Sequence, residues 1–89
     1  TLVCSILPTH AGYLTHAAGK PILATINEKV KTACAARGCI YVDYAAQMGD
    51  AAGDLRQDLA YDGVHPNFAG YEVMARMVKE AAASHGLRL

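Results

Sequence analysis

An aspartate and a histidine three positions apart, Asp62 and His65, lie in the stretch YDGVHPNFAGY over residues 61–71. Their types suit one kind of chemistry. Imidazole changes charge near neutral pH, so His65 can take a proton and give it back. A carboxylate held against the ring fixes its tautomer and stabilises the imidazolium that forms. Gly63 and Val64 separate the two, and the glycine widens the turns open to the backbone. Pro66 follows directly and stiffens the exit into a helical pattern. Such a pair is two thirds of a hydrolytic triad. Acyl transfer needs in addition a nucleophile and donors for the oxyanion. The same residue types also make a loop-to-helix cap without catalysis, so the pair alone leaves both readings open.

The nucleophile is not evident in the chain. Of the two serines, Ser5 lies within an apolar run and Ser84 near the end of the last helical pattern. Neither stands on the tight turn that would project a nucleophile. His10 and His16 fall in a loop-like segment, where they line a cleft or serve as ordinary polar residues. A zinc site drawing on His10, His16, His65 and Asp62 is a further reading, but loop histidines at this separation lack the rigid spacing zinc favours. The three cysteines, Cys4, Cys34 and Cys39, are an odd number, which argues against a complete disulfide framework. They read as small buried hydrophobes, with a local Cys34–Cys39 pairing as the alternative.

The elements that must position Asp62 and His65 can be traced in order. Residues 1–7, TLVCSIL, are apolar on both faces, like a central parallel strand. Residues 8–20 read as a loop. Residues 21–37 predict a helix with Pro21 in its first turn and a stripe of Ile22, Ile26, Val30 and Ala33, stopped by Gly38. Asn27 beside that stripe either bonds a neighbouring loop or faces solvent. Residues 39–43, CIYVD, predict a second strand. Residues 44–60 form a mixed connection with a helical turn at 44–48, and Leu55 and Leu59 tuck under the final loop. A last helix over 67–85 is capped by Asn67, buries Tyr71, Met74, Ala75, Val78, Ala81 and Ala82, and ends at Gly86.

Strand, helix, strand, helix predicts parallel βαβ topology. Two strands make too small a sheet to stand alone. The chain also opens without Met on a strand that expects neighbours on both sides, which points to a piece of a longer polypeptide. At 89 residues it is at most one domain. Eight basic residues balance eight acidic ones, so the excess that nucleic acid or an anionic membrane favours is missing. No apolar run approaches the ~20 residues of a membrane span.

YDGVHPNFAGYEVMA resembles the C-terminal block of the SGNH hydrolases, also called the GDSL esterase/lipase family. A strand ending in proline (VCSILP), a helix carrying Ile-Asn (ATINEKV) and a strand running into YVDYAAQM precede it in the family's order. The resemblance implies a three-layer α/β/α, flavodoxin-like fold, of which residues 1–89 are the C-terminal βαβα portion. It implies a serine esterase cleaving carboxylic esters through an acyl-enzyme, with His65 as base and Asp62 as its orienting acid, and without cofactor or metal. The family's Gly-Asp-Ser block, with the nucleophile and the oxyanion donors, precedes this region and is not in the chain. It is expected from a missing N-terminal segment or a second chain. Implied substrates are small-molecule, lipid or acylated-carbohydrate esters, and the resemblance favours a secreted or periplasmic setting. Val64 and the loop at residues 10–13, His10 to Tyr13, are placed to line the acyl or alcohol pocket. The alternative is a non-catalytic fragment or interaction module that pairs through its open sheet edge.

Overall fold

Two short parallel strands, β1 (Leu2–Cys4) and β2 (Ile40–Val42), set the frame. They pair in the register Leu2↔Ile40, Val3↔Tyr41 and Cys4↔Val42. The computed structural model describes residues 1–12 and 16–87. Helix α1 (His16–Arg37) joins the strands, α2 (Tyr44–Met48) follows β2, and α3 (Phe68–Ser84) closes the described chain. The result is a mixed α/β unit. Among the described residues no helix is long and apolar enough to cross a membrane.

The expected strand over residues 1–7 is confined to Leu2–Cys4, and the reason is local. Ser5 still donates to Val42 O at 2.9 Å, but β2 then turns into α2. From there Asn27 takes over: its Oδ1 accepts from Ile6 N at 2.8 Å and its Nδ2 donates to Ile6 O at 2.9 Å. One side-chain amide thus satisfies a backbone residue that has lost its ladder. Of the two roles open to Asn27, the bond to a neighbouring loop is the one realised.

Helix α1 begins at His16, five residues before the expected start, so Pro21 lies inside the helix and not in its first turn. Tertiary contacts override that boundary. His16 is held by Thr9 and Asp54, and Lys20 Nζ donates to Ala52 O at 2.7 Å. The inward face also differs from the expected one. Ile22, Ile26 and Ala33 are exposed, whereas His16, Leu23, Asn27, Val30 and Cys34 point inward at helical spacing. Gly38, at φ 71°, ends the helix as foreseen. Its N–H reaches Ala35 O, and Cys39 N–H reaches Cys34 O at 3.0 Å, the paired bonds of a Schellman cap. All three cysteines are free thiols; only Cys34 is buried, and Cys4 is exposed.

Neighbouring residues of β2 face opposite sides, as the pleat requires. Tyr41 turns towards α1, its hydroxyl donating to Asn27 O at 3.4 Å. Val42 turns the other way, into a core with Tyr44, Met48, Leu55, Leu59 and Met77 of α3. Leu55 and Leu59 are buried as expected, and Asp43 caps α2 by accepting from Ala46 N at 3.2 Å. On α3 the most deeply inserted large side chain is Met77, while Tyr71 and Ala75 are exposed. The stripe therefore runs through Val73, Met74, Met77, Val78, Ala81 and Ala82.

Candidate active site

The loop carrying Asp62 and His65 hangs between two pinned ends. Buried Leu59, on a single 3₁₀ turn (Gln57–Leu59), anchors one end. At the other, Pro66 is buried and forms an antiparallel bridge with Ala60. Pro66 therefore precedes the helix and does not open it; Asn67 is the cap. Asn67 N donates to Leu59 O at 2.9 Å, its Nδ2 to Asp58 O at 3.1 Å, and its Oδ1 accepts from Gly70 N at 2.9 Å. Gly70 makes this closeness possible: a Cβ there would stand 2.2 Å from Leu59 O. Across the loop, Tyr61 N donates to His65 O at 3.3 Å.

Within the loop, Asp62 accepts three bonds. Oδ1 takes Val64 N at 2.8 Å and His65 N at 2.5 Å, and Oδ2 lies 2.7 Å from His65 Nδ1. The backbone N–H of His65, followed by its ring and the N–H of Val64, holds the Asp62 carboxyl down at about 2. An ionised carboxylate only accepts, so a neutral His65 carries its proton on Nδ1 and leaves a lone pair on Nε2. That Nε2 bonds no other group among the described residues. The His65 side chain is 60% exposed, and Tyr61 stacks beside it with centroids 6.0 Å apart and planes 15° from parallel.

A cavity of about 280 Å³ opens next to Asp62, lined by His10, Gln57, Ala60, Tyr61, Asp62 and Gly63. His10 borders it. Half-buried Val64 does not line it, and Tyr13 lies outside the described residues. A larger cavity of about 440 Å³ between α1, α2 and the end of β1 has mainly apolar walls, such as Ile6, Leu23 and Ala45. Neither Asp62 nor His65 borders it.

The other candidate residues go elsewhere. Ser5 is buried and its Oγ accepts from Ala45 N at 2.9 Å; Ser84 Oγ donates to Glu80 O at 2.8 Å. His10 turns to Gln57 and Gly12. His16 Nδ1 is 2.8 Å from Thr9 Oγ1, and its Nε2 is 3.1 Å from Asp54 Oδ1. Lys20 Nζ meets the same oxygen at 2.9 Å and holds the Asp54 carboxyl below its usual range. That buried oxygen faces both groups at ion-pair distance without a directed hydrogen bond. The His16–Asp54 pair was not foreseen, because the partners lie far apart in sequence and Asp54 sits in an ordinary turn cluster. Among the described residues, no three His, Cys, Asp or Glu gather to hold a metal ion.

Residues 2–73 match a family model described as the GDSL-like Lipase/Acylhydrolase family. The fold superposes on a GDSL-like lipase from Bacteroides thetaiotaomicron with a TM-score of 0.77 at 23% identity. It superposes on a proposed acylhydrolase from Bacteroides fragilis with a TM-score of 0.79 at 24% identity. In both cases 90% of this chain covers 40% of the other. The chain thus spans two fifths of those proteins, and at such identities the likeness speaks for the fold alone. No curated protein matches.

Proposed function

This chain belongs to the GDSL-like lipase/acylhydrolase family, and from that premise we propose that it carries the acid–base half of a serine esterase. The observation behind this reading is the Asp62–His65 geometry: a carboxylate 2.7 Å from Nδ1, with Nε2 open to a reacting group. The nucleophile is a serine outside these residues, supplied by a preceding segment or by a second chain. Its hydroxyl attacks the ester carbonyl while His65 Nε2 takes the proton. The tetrahedral adduct collapses, and the same proton goes to the leaving alkoxide. Water then attacks the acyl-enzyme with His65 again as base, releasing the acid and restoring the serine. Asp62 stays ionised throughout and holds the ring. No step calls for a cofactor or metal. The substrate is a carboxylic ester of a small molecule, lipid or acylated carbohydrate.

The complete domain, on this reading, is a three-layer flavodoxin-like fold with residues 1–89 as its C-terminal βαβα portion. Support comes from the free outer edge of β1 among the described residues and from the exposed Ile6, Ile22 and Ile26, which another part of a domain would cover. That same edge favours the second reading, a non-catalytic module that pairs through it. A Gly-Asp-Ser segment upstream or in a partner decides for the enzyme.

In the complete protein, His65→Ala should lower turnover of an activated ester by roughly two to four orders of magnitude with the fold intact. Near wild-type turnover would overturn the assignment. Residues 1–89 alone should hydrolyse no more ester than their His65→Ala control, and a His65-dependent burst would refute the external nucleophile.

A further inference from the structure

The segment after β1 is tied to the acid–base loop at the loop's middle. His10 N donates to Gly63 O at 2.9 Å, midway between Asp62 and His65. Among the described residues this is the one backbone bond from the middle of the loop to another part of the fold; the remaining bonds hold its ends or run within it. His10 is itself fixed on both sides. Its Nδ1 accepts from Gly12 N at 3.1 Å, so a neutral ring carries its proton on Nε2. Nε2 faces the Gln57 side-chain amide, which receives that proton once turned oxygen-first. Gln57 opens the 3₁₀ turn from which the loop departs. Behind His10, Thr9 O accepts from Leu55 N at 3.1 Å, and Leu55 is fully buried. Thr9 Oγ1 meets His16 on α1. A continuous set of bonds therefore runs from the core to Gly63.

We propose that His10 is a positioning residue: its ring, locked between Gly12 and Gln57, fixes the backbone N–H that clamps the loop at Gly63 and keeps Asp62 turned towards His65. The kinetic consequence rests on the esterase reading; the clamp does not. Asp62 depends on the loop's curvature for all three of its bonds, so a slackened clamp weakens every interaction that keeps its carboxyl ionised.

The test is a carboxyl titration of Asp62 by NMR in wild type, His10→Ala, Gln57→Ala and His10→Asn. The midpoint, at about 2 in the intact loop, should rise by roughly half a unit or more in His10→Ala and by less in Gln57→Ala. His10→Asn, whose Oδ1 replaces Nδ1 as acceptor for Gly12 N, should restore part of the shift. An unchanged midpoint in folded His10→Ala overturns the proposal, and so does an unchanged midpoint in Gln57→Ala should His10→Ala fail to fold. In the complete esterase, kcat should drop about tenfold at constant KM. A rise in KM alone would make His10 a substrate contact and overturn the positioning role. Turnover indifferent to His65 would fell the esterase reading and leave the clamp to the titration.

Discussion

His65 and His16 each face an aspartate, yet little else about them is alike. His65 meets Asp62 across one turn of an exposed loop, and its second nitrogen is open. His16 meets Asp54 from a different element, in the interior, with its other nitrogen engaged by Thr9. Asp62 spends its spare lone pairs on backbone N–H groups; Asp54 shares one oxygen with Lys20. A ring with both nitrogens occupied ties elements together. A ring held on one side only retains a site for proton transfer. The difference lies in what surrounds each pair, not in the residue types.

The sharpest way to break this contrast is to neutralise each pair in the complete protein. Asp62→Asn keeps the shape but loses the carboxylate that dictates the His65 tautomer, and turnover should drop by roughly three to four orders of magnitude with the fold intact. His16→Leu should do the reverse. It leaves Thr9 and Asp54 without the imidazole, so urea denaturation should show a loss of about 1–3 kcal/mol, with turnover reduced less than about tenfold. If His16→Leu abolished turnover without destabilising the fold, the division of labour would fail.

The smallest effect is in acid. The folded Asp62 carboxyl titrates at about 2, against 3.8 for an unperturbed aspartate. A depressed folded pKa stabilises the protein above the unfolded value and ceases to do so as pH falls through the folded one. Asp62 should therefore contribute fully above about pH 4 and lose its contribution between about 4 and 2. Asp62→Asn should flatten the decline of urea midpoints over that window; an identical decline would deny Asp62 its hold on the loop.

What could be foreseen in the sequence was local. Asp62 and His65 share one turn, Asn67 caps the helix beside it, Gly38 needs a positive φ, and the helical turn at 44–48 has the observed bounds. What escaped was set by partners distant in sequence. The inward face of α1 contains His16 and Asn27, polar residues whose burial is offset by Thr9, Asp54 and Ile6. A hydrophobic pattern scores them as outward, and so chose Ile22 and Ile26, which solvent reaches. The start of α1 was missed for the same reason. The link from His10 to Gly63 runs through backbone atoms, which no side-chain pattern encodes.

Asn27 also acts as punctuation for sheet growth. Ser5 donates towards β2, so by strand alternation Ile6 presents its N–H and C=O to the opposite, outer edge. Both groups are already taken by the Asn27 amide. A strand laid along that edge would find Leu2 and Cys4 available and would have to leave at Ile6. The length of that seam is thus written not in either strand but in one side chain on the helix between them.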